Sequence, residues 1–130
     1  MRTVIYIFLI SLLTHRLWSQ DECEKSITLG YIPLEQNYKM PLKDNTTFNV
    51  TFYDNYIYRV AFCSKHKDSF YWTLYDMNDN VLFSNKYYNN AIYWDFTFQN
   101  TIECKVVIET KDKSPPLNSH INLFIGYKHL

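Results

Sequence analysis

Three cysteines, one short run of acids and amides, and a group of tyrosines are the side chains here with chemistry to offer. Cys23, Cys63 and Cys104 make an odd count. In an oxidising compartment that count predicts one disulfide and one leftover thiol. Loop entropy does not select the pair. The Cys23–Cys63 and Cys63–Cys104 loops are nearly equal, and the doubled Cys23–Cys104 loop differs by only about 0.6 kcal/mol. Phase is more selective. Cys104 shares a face with Ile102, Val106 and Ile108, opposite Glu103 and Lys105, so it should point into a core. Buried free cysteine is a common small hydrophobe. Cys63 ends its strand on the face opposite Val60 and Phe62, and Cys23 lies in the N-terminal lead-in. The expectation is Cys23–Cys63 with Cys104 free. Cys63–Cys104 is the alternative, and no disulfide at all is the third case.

Asp76-x-Asn78-x-Asn80 spaces oxygen ligands as the start of a calcium loop does. Such a loop needs Gly at its sixth position and Glu at its twelfth. Val81 and Tyr87 stand there. The run therefore reads first as a hairpin turn and second as a weak cation site. No metal and no cofactor is assigned. His15, His66, His120 and His129 share no metal-ligand spacing with one another or with a cysteine. Ser64 stands close before His66, but no hydrolase elbow surrounds it. Two carboxylates flanking a sugar would define a glycosidase. Nothing in the spacing of Asp54, Asp76, Asp95 and Glu103 brings two of them together. An enzyme is not expected.

Tyr87-Tyr88 and Tyr93-Trp94 flank one connection. Exposed aromatic rings are the usual sugar-stacking surface of carbohydrate-binding sandwiches. Trp94 has the phase of Phe96 and Phe98, which assigns it to the core. Tyr87 and Tyr88 lie in a polar loop and are the candidate binding residues; ordinary loop packing is the competing reading. Asn45-Thr46-Thr47 and Asn49-Val50-Thr51 are glycosylation sequons, which matter only in a eukaryotic secretory route. In an asparagine-rich chain, chance occurrence is the stronger reading.

The elements that must position these residues are strands. Tyr58-Val60-Phe62, Phe70-Trp72-Leu74, Trp94-Phe96-Phe98, Ile102-Cys104-Val106-Ile108 and Ile121-Leu123-Ile125 alternate with other residues. Phe48-Val50-Phe52 and Val81-Phe83 have the same period, and a weaker first strand is predicted near Ile27-Leu29-Tyr31. β-branched and aromatic residues dominate, as strands prefer. Turn residues fill the gaps: Asp54-Asn55, the polar Ser64 to Asp68, Asp76 to Asn80, Asn85 to Asn90, and a late loop holding Pro115-Pro116. About eight short strands at roughly ten-residue spacing predict an antiparallel, jelly-roll-like β-sandwich over residues 21–130, as a single domain.

The N-terminus reads as an address. Met1-Arg2 is basic, Val4 to Leu13 is apolar but for Ser11, and Ser19-Gln20 offers a small residue near an exit. That is the grammar of a secretory signal peptide over residues 1–20. The apolar run is too short to span a membrane, which takes about 20 residues. Asp21-Glu22 precede Cys23 where a lipidation motif wants small residues. The mature chain is expected outside the cytoplasm, periplasmic or extracellular, with no membrane span. The full chain of 130 residues balances 13 basic against 13 acidic groups. That leaves no basic surplus for nucleic acid. With 47% hydrophobic and 20% charged residues it is not a disordered tail, and 2 glycines rule out a glycine-rich phosphate loop.

The stretch from about Phe48 to Ile125 resembles the bacterial pre-peptidase C-terminal type of β-sandwich. The resemblance rests on Val50-Thr51-Phe52-Tyr53, the Asp54-Asn55 turn and Tyr58 to Phe62; then on Leu74-Tyr75-Asp76 with Asn78-Asp79-Asn80; then on Trp94 to Phe98 and Cys104 to Ile108. Asparagine stands at 55, 80 and 100, where that module usually has glycine. The Ser-Gln exit and the Asn, Tyr and Lys content resemble small secreted proteins of Bacteroidota. Such modules commonly accompany secreted enzymes and bind surfaces or polymers. The resemblance implies a jelly-roll-like sandwich that binds an envelope or extracellular component: a glycan, a peptide or a protein. A structural or assembly subunit pairing through exposed strand edges is the alternative. A small secreted hydrolase is third.

Overall fold

Alternating segments become strands, and the strands pair far along the chain. The computed structural model describes residues 23–34, 38–66, 68–111 and 118–130. The predicted leader and the Pro115-Pro116 segment lie outside the described residues. The described residues form nine strands: β1 (Ile32–Pro33), β2 (Tyr38–Pro41), β3 (Thr47–Phe52), β4 (Tyr56–Cys63), β5 (Phe70–Asp76), β6 (Val81–Ser84), β7 (Tyr93–Phe96), β8 (Ile102–Thr110) and β9 (His120–His129). One sheet has the order β1-β9-β4-β7, with β2 also paired to β9. The other has the order β3-β8-β5-β6. All pairings are antiparallel.

The two sheets face each other across an aromatic core. Tyr58, Val60 and Phe62 of β4 and Ile121, Leu123 and Ile125 of β9 meet Phe52, Trp72, Leu74, Val106 and Ile108 of the second sheet. Each set has period two, so a register slip of one residue would turn its whole apolar face to water. Trp72 is fully buried, with its ring 5.1 Å from Phe62 and 4.8 Å from Phe83. Cys104 is buried, free and on the same inner face as Val106 and Ile108. Its pKa is pushed up to about 11, first by burial and then by the Asp76 carboxylate.

The predicted first strand near Ile27-Leu29-Tyr31 is not a strand. Residues 23–28 form a helical turn and a half, α1. Cys23 and Ile27, four residues apart, lie on one side of α1, and Tyr31 follows just past its end. Ile27 and Tyr31 pack with Ala61, Cys63 and Phe124 on the outer face of the β1-containing sheet. Leu29, the middle of the expected strand, is 80% exposed. A helix this short is not stable alone. The Cys23–Cys63 disulfide and the outer-face packing hold it in place.

β1 and β2 follow one flank of β9 end to end, at Ile32↔Tyr127 and Tyr38↔Leu123. Their prolines, Pro33 and Pro41, sit on edge strands, where a missing N–H costs no ladder bond to a further neighbour. β7 stops at Phe96, short of the predicted Phe98. Phe98 leaves the strand and stacks on Phe52 at 5.0 Å.

Candidate functional site

The β3–β4 hairpin builds a cleft at one end of the sandwich. Its turn, Asp54-Asn55, needs a left-handed residue, and Asn55 supplies it at φ 69°. β4 and β9 pair outward as far as Tyr56↔His129. Tyr56 and Tyr58 share a face of β4, as Tyr127 and His129 do on β9. Their rings therefore gather at this end. Tyr56 stands edge-on to Tyr127 at 5.5 Å and 85°, and lies 5.0 Å from the His129 ring. Leu34 packs from the side, its N–H bonded to the Ile125 carbonyl at 3.0 Å.

Leu34, Tyr53, Asp54, Asn55, Tyr56, Tyr58 and Tyr127 line a space of about 550 Å³. Sites for small ligands run to roughly 300–1,000 Å³ with mostly apolar walls and a few polar groups. Here the polar groups are phenols, the Asp54 carboxylate and the Asn55 amide. Tyr58 is fixed: its phenol oxygen accepts the Tyr53 N–H at 2.9 Å. Burial raises its pKa, and the Tyr53 hydrogen bond pulls it partly back. Asp54 accepts weakly from the Asn55 amide at 3.3 Å and from the Thr101 hydroxyl at 3.5 Å, and is otherwise open to a ligand.

A second constellation lies on the outer face, where α1 docks. Arg59 is sandwiched between the rings of Tyr31 and Tyr93, its guanidinium carbon 4.4 Å from each centroid. Its Nε and one terminal nitrogen donate to both oxygens of Asp95, at 2.7 and 2.9 Å. Its other terminal nitrogen donates to the Ile27 carbonyl of α1 at 3.2 Å. Hydrogen bonding to Asp95 holds the Arg59 pKa above its ordinary value. Partial burial alone would raise the Asp95 carboxyl, but hydrogen bonds from Arg59 and Tyr31 outweigh it and hold it low. Gly126 lies opposite Arg59, and a side chain there would have to push the Phe124 ring aside. The Phe124 ring crosses it at 2.6 Å from where a Cβ would sit.

The residues singled out in the sequence fall elsewhere. Tyr87 ends a single 3-10 turn, Asn85–Tyr87, and is 77% exposed. Tyr88 and Trp94 come together at 4.7 Å, and both pack on Phe83. The expected burial of Trp94 is corrected. It keeps the inward phase of Phe96, but it lies along the open flank between edge strands β6 and β7, where it is 36% exposed. Tyr93, one residue earlier, points to the opposite face and meets Arg59.

The Asp76 carboxylate is spent on its own turn. It accepts the N–H groups of Asn78 and Asn80 and the Asn80 side chain, each at 2.9 Å. The Asn80 hydrogen bonds hold its pKa below the usual carboxylate value. Ser64 accepts the His66 N–H at 3.0 Å and donates to the His120 carbonyl at 3.4 Å, so its hydroxyl ties its own loop to the start of β9. Asp54, Asp76 and Asp95 each keep separate partners. Among the described residues, no three His, Cys, Asp or Glu side chains converge as a metal site, and no helix is long and apolar enough to cross a membrane.

No protein-family model and no curated protein matches this sequence. The end cleft escaped the sequence reading because Tyr127 reaches it only through the β4–β9 pairing. The local signal was the tyrosine on either side of Asp54-Asn55, with Tyr58 in phase with Tyr56.

Proposed function

We propose that this chain is an exported, non-catalytic binding module that takes an envelope or extracellular component at its tyrosine-lined end cleft. The cleft carries the reading: a ligand-sized space walled by four tyrosines, with one carboxylate and one amide at its rim. The Cys23–Cys63 disulfide supports export, since such bonds persist in oxidising compartments. A second aromatic surface lies on the flank, where Tyr88 and Trp94 pack on Phe83 and Tyr87 stands exposed beside them. A glycan and peptide array tests the reading. Saturable binding that Tyr56→Ala removes, and that the Tyr87→Ala/Tyr88→Ala variant keeps, assigns the function to the cleft. The reverse pattern moves it to the flank. Loss in neither variant, or no binding at all, overturns the reading.

Assembly through strand edges is a second reading with its own observation. β6 is a four-residue edge strand whose Val81 and Leu82 are 58% and 40% exposed. An edge of this kind accepts an added strand. Co-purification of a partner from native envelope, lost on Leu82→Lys, would favour it.

A further inference from the structure

We propose that the end cleft binds an organic ammonium group, of the kind carried by a lysine side chain or a choline headgroup. The group would sit against Tyr56 and Tyr127 and pair with Asp54. The inference rests on the binding reading above and adds the ligand class.

Three observations carry it. The first is charge. The described residues lining the cleft include one carboxylate and no lysine or arginine; the His129 ring stands at its margin, 5.0 Å from Tyr56. The second is the arrangement of the rings. Tyr56 is turned 85° from Tyr127 and 60° from Tyr58. Rings set at such angles form a corner rather than a platform. A sugar stacks best on one flat face. A compact cation gains from several ring faces at once, because each presents the negative side of its quadrupole. The third lies within the same molecule. The outer-face site holds the guanidinium of Arg59 between two tyrosines and an aspartate, at 4.4 Å from both rings. The end cleft offers the same residue set, tyrosines with one aspartate, toward solvent.

The oxidised protein, labelled for NMR, is titrated with choline, with Nα-acetyl-lysine methylamide, and with 3,3-dimethylbutan-1-ol, the neutral isostere of choline. A cation should bind saturably, with its largest shifts at Asn55, Tyr56 and Tyr127. The isostere should be at least about tenfold weaker, the span of a partly desolvated cation–π contact. Whether choline or the lysine derivative binds tighter separates a headgroup from a peptide as the source. Tyr56→Leu should abolish binding. Should that variant misfold, Asp54→Asn on the exposed turn tests the same point, with an expected loss of about threefold to tenfold. Equal binding of the isostere, or no shift with either cation, overturns the ligand class. If a neutral glycan from the array then shifts the same signals, the cleft is a binding site for another chemistry. If nothing shifts them, the binding reading falls as well.

Discussion

Trp72 is the largest fully buried side chain among the described residues. It lies against Phe62 and Phe83 and is wholly buried. Its indole N–H donates to the Ala91 carbonyl at 2.9 Å, and its backbone N–H to the Asn85 side chain at 2.9 Å. Asn85 thus continues the β5 ladder where β6 has ended, and a buried amide replaces a strand. Trp72→Ala should cost about 3–5 kcal/mol, read by chemical denaturation. That is much of the roughly 5–15 kcal/mol holding a domain. Cys104 is the other informative residue. With a pKa near 11, set first by burial, its thiol should resist iodoacetamide at neutral pH in the native protein and react once the chain is unfolded. The sign on stability follows. The folded state holds the proton more tightly, so stability is full below about pH 9 and falls as pH rises toward 11. The assignment of Cys104 to the core was legible in sequence because alternation alone sets the face. Trp94 shows where that rule fails. Phase gives direction, but burial needs something on the other side, and at the β6–β7 flank the partner is one strand short.

At the scale of elements, α1 is held by a disulfide, a small apolar cluster and the Arg59 hydrogen bond. The disulfide closes a separation of 40 residues. In the chain-entropy model a loop of that size contributes about 4 kcal/mol. Cys23→Ser/Cys63→Ser should lower stability by up to that amount. It should also bring the amides of residues 23–28 to near-free hydrogen exchange while β4 and β9 stay protected. The Arg59–Asp95 pair makes a separate prediction. Asp95 is held below its usual value by hydrogen bonds that outweigh its burial, so it stabilises the fold above the unfolded carboxylate pKa, near 3.9. That contribution disappears as pH falls through the native value. Asp95→Asn should therefore flatten the loss of stability below about pH 4, leaving the share of Asp76, which is depressed in the same direction. Seven of the nine strands could be placed from alternation. α1 looks like a strand in sequence because its apolar residues satisfy period two and period four alike over so short a span. β1 and β2 gave no signal, since proline interrupts each and both borrow their conformation from β9.

The whole molecule is a topology of distant partners. β3 pairs with β8, β4 with β9, and the earliest strands with the last. Such pairings pay loop-closure entropy before any contact forms. Refolding of the oxidised protein, followed by stopped-flow tryptophan fluorescence, should fall in the millisecond-to-second range of all-β domains; microsecond folding would contradict the topology. The same long-range pairing explains why the candidate site was hidden. Tyr53 and Tyr56 are neighbours in sequence, but Tyr127 and Leu34 join them only when the first and last segments close around β4.

The turns carry one more consequence, for the lifetime of the protein. At Asn45, Asn55, Asp79, Asn89, Asn90 and Asn118 the backbone is left-handed without glycine, while Gly30 holds a further such position at φ 82°. Hairpins commonly meet this demand with Asn-Gly. In that dipeptide the next backbone nitrogen is unshielded, so the asparagine amide readily closes onto it and the residue is lost to succinimide. Here Asn55 is followed by Tyr56, Asn89 by Asn90 and Asn90 by Ala91, and each side chain screens that nitrogen. With asparagine, and aspartate at 79, holding these turns without a following glycine, the hairpins avoid the sequence at which proteins age fastest.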